Sequence, residues 1–230
     1  MRTIIHPAEA RRRFRQFVDG DITNANLAEG ALLIALEEYP SLDVDRYLQQ
    51  LDDLAARVSQ RSSPGEPAIF LLGHVHAEMF DADGYHGEPV LYYDPRNAYL
   101  NDVIDRRTGL PIALSIVFLH VAQRVGLTAA GVGLPGHYIV KVAFELNEVY
   151  VDPFDGGSTL TVPEISELLD RSTNRQIRLT NDHLRAWTPR QTLLRVLANL
   201  ENMWRRAGDP RKAASAQERM LLLDTSPPAR

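Results

Sequence analysis

Apolar positions recur at helical spacing through the first quarter of the chain. "AEARRRFRQFV" follows Pro7 and stops near Gly20, and "NLAEGALLIALEEYP" places Leu27, Leu32, Leu33 and Leu36 at that spacing before Pro40. "DVDRYLQQLDDLAARV" continues with Tyr47, Leu48, Leu51, Leu54 and Val58 in one stripe. Three helices are predicted, an N-terminal helical region over residues 1–60. The polar run Ser59–Pro67, "SQRSSPGEP", reads as a linker, and a short helix is expected over Ala68–Phe80. "DADGYHGEPV" follows neither period and reads as a loop. "YYDPRNAYLNDVIDRRTGLP" predicts one helix capped by Asp94, with Pro95 at its first position. From Pro111 to Gly126 the chain is apolar almost all round, as a buried central helix would be.

The period then shortens. A strand is expected near Ala130–Gly133, then two more over His137–Phe144 and Glu148–Val151, joined by a turn around Leu146-Asn147. "VPEISELLDR" returns to helix, with Pro163 near its start. The tail reads as two helices broken at Gly208-Asp209-Pro210 and closing on "LLLDTSP", the outline of one tetratricopeptide unit of about 34 residues. No second copy follows. A single unit must dock on the rest of the chain, because one repeat cannot bury its own face.

Composition narrows the chemistry. With 230 residues, 44% of them hydrophobic, the chain can bury a substantial core. A net charge of −5 gives no overall pull toward nucleic acid or anionic lipid, and no apolar run is long enough to span a bilayer. "MRTIIHPAEARRRF" lacks the apolar stretch of a secretion signal, so a cytoplasmic location is expected. There is no cysteine, which removes disulfides, thiolate-bound zinc and thiolate nucleophiles together.

The two strands carry a His at the start of one and an Asp at the end of the other. Antiparallel pairing makes His137 and Asp152 neighbours, and a carboxylate beside an imidazole fixes its tautomer and stabilises its protonated form. The competing reading makes both turn residues, since Gly136 and Pro153 are themselves turn formers.

Taken with the buried helix, "GLPIALSIVFLHVAQRVGLTAAGVGLPGH" and "VYVDPF" resemble the layout of papain-like and transglutaminase-like enzymes. There a helix begins with a nucleophilic Cys, and successive strands bring a His and an Asp. The resemblance places Pro111 where the Cys belongs and His137 and Asp152 on the other two positions. "YYDPRNAYLNDVIDRRTGLP", "GLPGHYIVKV" and "VDPFDGG", with helices in front and a tetratricopeptide-like tail, are most similar to the SirB-type transglutaminase-like family. It implies a transglutaminase-like fold, Pro in place of the Cys, a link by name to regulation of invasion genes and no settled activity.

Other groups compete for a role. Ser115 lies one turn inside the helix from Pro111, where its hydroxyl tends to bond the carbonyl four residues back; Thr108 precedes the helix. Either is an alternative nucleophile. His74, His76 and His86 are considered as metal ligands, but the first two diverge on a helix and no H-E-x-x-H spacing is present. His120 reads as a core or interface residue. Asp94, Arg96, Asn97 and Asn101 form a dense polar set; Asn97 and Asn101, at i and i+4, either bond the loop before Pro111 or line a cleft. Asn97, Asn101 and Gly136 are assigned to ligand binding.

The expected fold is therefore α+β: the N-terminal helical region, a transglutaminase/papain-like core over residues 68–180, and a TPR-like helix pair over 189–225. The expected function is a non-catalytic binding or regulatory module with a degenerate triad. It needs no cofactor or metal, and it meets a protein or peptide partner through the cleft or the C-terminal helices. The alternative is a hydrolase or acyltransferase using a Ser or Thr nucleophile with His137 and Asp152.

Overall fold

The computed structural model describes residues 4–144 and 147–225. Helices α1 (Pro7–Val18), α2 (Leu27–Ala35) and α3 (Val44–Arg61) come first. Asp43 caps α3 by accepting the Arg46 N–H. This helix runs into the polar stretch read as a linker, because Arg57 and Arg61 on its last turns both pair with the buried Glu78. Helix α4 (Ala68–His76) passes into a π-helical turn over Ala77–Ala82.

Two expectations fail in the next segment. The stretch read as a loop holds a short strand, β1 (His86–Gly87), parallel to β2 (Thr108–Gly109). Two residues cannot display a period. The single helix expected from Asp94 is instead a 3-10 turn, Pro95–Asn97, followed by α5 (Leu100–Arg106). The break falls at Tyr99, which is extended and buried, with its ring against Tyr39 and its hydroxyl accepting the Trp204 indole N–H. Tertiary packing overrides the cap there.

Helix α6 (Pro111–Arg124) lies at the centre, buried from Pro111 to Ala122. An antiparallel sheet packs on it, in the order β3 (Thr128–Leu134), β4 (His137–Ala143), β5 (Glu148–Asp152), β6 (Ser158–Leu160). Tyr138, Val140, Val142 and Val151 join the α6 core, while Ile139 and Tyr150 join a second cluster with Ile165 of α7 (Val162–Ser172). Both faces are covered, so β4 reads as an apolar run rather than an alternation. Strand β6 escapes a sequence reading through its shortness. Leu146, expected in the β4–β5 turn, lies outside the described residues; the Asn147 carbonyl accepts the Phe144 N–H.

Helices α8 (Pro189–Arg206) and α9 (Pro210–Thr225) pack against each other, joined through Gly208 at φ +77° and an Asp209 cap on the Lys212 N–H. Along them Leu197 is buried and Leu194, Trp204 and Met220 are partly buried. Leu221 is 62% exposed and Leu223 takes the inward position. Ser226 and Pro227 of "LLLDTSP" lie outside the described residues. One apolar cluster extends from Ala10 to Leu223, so the terminal helices share a core with α6 and the sheet.

Candidate functional site

Local turn chemistry sets both ends of the His–Asp pair. Pro135-Gly136 reverses the chain between β3 and β4, with Leu134 opposite His137, and Gly136 sits at φ +77°, a conformation that favours glycine. The position assigned to ligand binding thus has a backbone role: it delivers His137 to the start of β4. At the other end, Asp152 caps the 3-10 turn Pro153–Asp155, its Oδ1 accepting the Phe154 N–H at 3.0 Å.

The register explains their meeting. Val140 pairs with Val151, so the residue opposite Asp152 is Ile139, and His137 is two residues from it on the same side. Such diagonal neighbours lie within reach of long side chains. His137 Nε2 is 2.8 Å from Asp152 Oδ2, and the two side chains are only 10% and 4% exposed. A carboxylate accepts, so Nε2 carries a proton, and in the neutral ring Nδ1 keeps its lone pair. Nδ1 makes no hydrogen bond among the described residues.

Phe154 connects this pair to the start of α6. Its ring stands perpendicular to the His137 imidazole at 5.8 Å between centroids. Gly87 lies under the same ring: a Cβ there would come within 2.5 Å of it. Gly87 in turn pairs with Gly109, two residues before Pro111. Pro111 is buried at the first turn of α6, with no ionisable atom, no backbone N–H and no side-chain cap nearby. Tyr92 adds a wall, packed edge-on to Phe154 at 6.2 Å, and burial pushes its hydroxyl pKa up. Beside it Val90 and Leu91 are 87% and 57% exposed. Phe154, Tyr92 and Gly87 are not singled out by sequence reasoning; the signal for Phe154 is its place inside the "DPFD" turn.

The other sequence candidates separate. Asn97 is fully buried and acts as a brace: its amide donates to the Leu91 carbonyl, its side-chain oxygen accepts Arg106, and its carbonyl accepts the Leu110 N–H at 2.8 Å. The bond expected of its side chain, to the residue before Pro111, is made instead by its backbone carbonyl. Asn101 is buried with Oδ1 unpaired, and the helix break at Tyr99 removes the common face expected for the two asparagines. Asp94 caps its turn through the Arg96 N–H and pairs with the Arg96 side chain. Ser115 is fully buried; its hydroxyl bonds neither His137 nor the expected carbonyl, and the Thr108 hydroxyl is likewise buried and unpaired. His74 bonds Glu66, His76 pairs with Asp81, and His86 bonds the Gly84 carbonyl, so the three have separate partners. Among the described residues no group of three or more His, Asp or Glu is placed to hold a metal. His120, 3% exposed, bonds Asp52 of α3; burial keeps its pKa low, and the contact ties α3 to α6.

A central helix whose start is linked through Phe154 to a His–Asp pair at the strand ends is the arrangement of a transglutaminase-like core. The chain belongs to the transglutaminase-like superfamily, whose family model matches residues 45–198. It is similar to a UPF0162 protein of Xylella fastidiosa, 33% identical over 207 residues, covering 88% of this chain and 73% of that protein. A UPF0162 protein of Pseudomonas aeruginosa is 31% identical over 201 residues, covering 86% and 72%. Part of the chain also resembles F-box only protein 21 of Homo sapiens, 24% identical over 160 residues, covering 63% of this chain and 24% of that protein. No solved structure matches. Among the described residues no helix is long and apolar enough to cross a membrane.

Proposed function

We propose that the protein is a non-catalytic, cytoplasmic binding module of the SirB type, in which the cleft at the start of α6 holds a peptide or small ligand. The observation that carries this reading is the pairing of an intact His137–Asp152 bond with Pro111 at the head of the helix. The imidazole offers Nδ1 as an acceptor, and Phe154, Tyr92 and the exposed Leu91 offer apolar surface beside it. An acyl transfer needs a nucleophile within hydrogen-bond reach of the base. Ser115 and Thr108, the two hydroxyls nearest Pro111 in the chain, make no bond to His137, which weighs against the hydrolase reading. Helices α8 and α9, whose sequence resembles one tetratricopeptide unit, supply a second, protein-docking surface in this proposal.

The test pairs an activity screen with capture. Purified protein is expected to turn over neither generic esters nor amides. Immobilised wild-type protein is expected to retain a partner from its native cell that His137→Ala, shown to be folded, releases. Hydrolysis that disappears in His137→Ala would overturn the proposal in favour of the hydrolase.

A further inference from the structure

A cleft of about 260 Å³ opens between α1, the end of α2 and α9, and shares no residue with the His137 site. Four cations line it, Arg11, Arg211, Lys212 and Arg219, with the carboxylates Glu37 and Glu38, and two more carboxylates stand at its edge, Glu218 paired with Arg11 and Asp209 capping the Lys212 N–H.

The cations differ in how well they are matched. Lys212 is paired with Glu38 at 2.6 Å and lies over the Trp204 ring. Arg11 holds Glu37 through two nitrogens and Glu218 through a third, and Ser215 donates to the Glu37 carboxylate. Arg219 is 4% exposed and donates to the Ile34 and Ser215 carbonyls. Its closest carboxylate oxygen is on that already engaged Glu37, at 3.8 Å. Arg211 is exposed and makes no ion pair among the described residues. It stands in the first turn of α9, next to the Asp209 cap.

A separate observation concerns Tyr99, which lines the cleft and is 3% exposed. Its hydroxyl oxygen accepts the Trp204 indole N–H, and its own proton has no acceptor among the described residues. A buried O–H without an acceptor is costly. Beside two under-compensated guanidiniums, it asks for a ligand made of acceptors.

We propose that this cleft is an anion site, in which Arg211, Arg219 and Tyr99 hold a small phosphate or carboxylate group. The volume lies below the roughly 300–1,000 Å³ of drug-sized pockets, so the occupant is a small ion or the charged end of a larger molecule.

Trp204 is a built-in reporter, because its N–H meets Tyr99 and Lys212 covers its ring. The whole chain is titrated with inorganic phosphate, phenyl phosphate and citrate, each followed by Trp emission and calorimetry. Saturable binding is expected with Kd at or below about 1 mM for at least one of them. Binding of phosphate and phenyl phosphate alone identifies the phosphate class; binding of citrate alone identifies the carboxylate class. Arg211→Gln, at an exposed position, should weaken binding at least tenfold, and Tyr99→Phe should weaken it without displacing the ring. Added salt should weaken it further. No saturable binding by the three anions, or an unchanged Kd in both variants, overturns the assignment.

Discussion

Replacing Pro111 with Cys asks whether the head of α6 still provides a thiolate site. Pro111 is buried at the first turn of a 14-residue helix, connected to His137 through Gly109, Gly87 and the Phe154 ring. An unperturbed thiol titrates at about 8.5. The helix dipole stabilises an anion at this end by up to about 2 kcal/mol in a partly buried setting. At about 1.4 kcal/mol per pKa unit, that lowers the midpoint to about 7. An imidazolium within about 4–6 Å of the thiol would lower it by about 1–3 units more, while burial acts in the opposite direction. The expected midpoint is about 5–7. The assay is the pH dependence of the alkylation rate by iodoacetamide, which has one possible thiol target because the chain contains no other cysteine. His137→Ala in this background should raise the midpoint by about 1–3 units. Asp152→Asn should raise it by less, through loss of the carboxylate that orients the ring. A folded Pro111→Cys variant that titrates near 8.5, or one indifferent to His137→Ala, refutes the reasoning.

Three further outcomes are expected. Burial raises the Glu37 carboxyl pKa, but Arg11, Arg219 and Ser215 outweigh it and leave it below the usual range; its stabilisation is therefore complete above about pH 4.3 and lost as pH falls through the lowered value. Glu37→Gln would strand the buried Arg219 and should cost about 3 kcal/mol, or about 6–12 °C in Tm, at neutral pH, with the deficit shrinking in acid; an unchanged Tm contradicts this. Gly87→Ala forces a Cβ into the Phe154 ring and should move the His137 imidazole resonances while the fold persists; unmoved resonances would show that Phe154 does not connect the helix start to the His. Ser115→Ala removes a buried, unpaired hydroxyl and should leave Tm unchanged or raise it, by about 1 kcal/mol at most; a large loss would mean the hydroxyl has a partner.

The sequence by itself determined the elements long enough to show a period. Helices α1 to α3, the buried α6, strands β4 and β5 and the break before α9 all follow from apolar spacing and from Pro, Gly and Asp at their ends. It also offered the His137–Asp152 meeting as one of two readings, and the strand register decided in its favour over the reading of both as turn residues. The tertiary structure decided what such spacing does not encode. The two-residue β1 and three-residue β6 are strands only because β2 and β5 lie beside them. The helix expected from Asp94 divides at Tyr99 because burying that ring against Tyr39 and Trp204 outweighs local propensity. Asn97 acts as a brace and Phe154 as the link from α6 to His137 through contacts with residues far along the chain or on other elements, and periodicity carries no information about those.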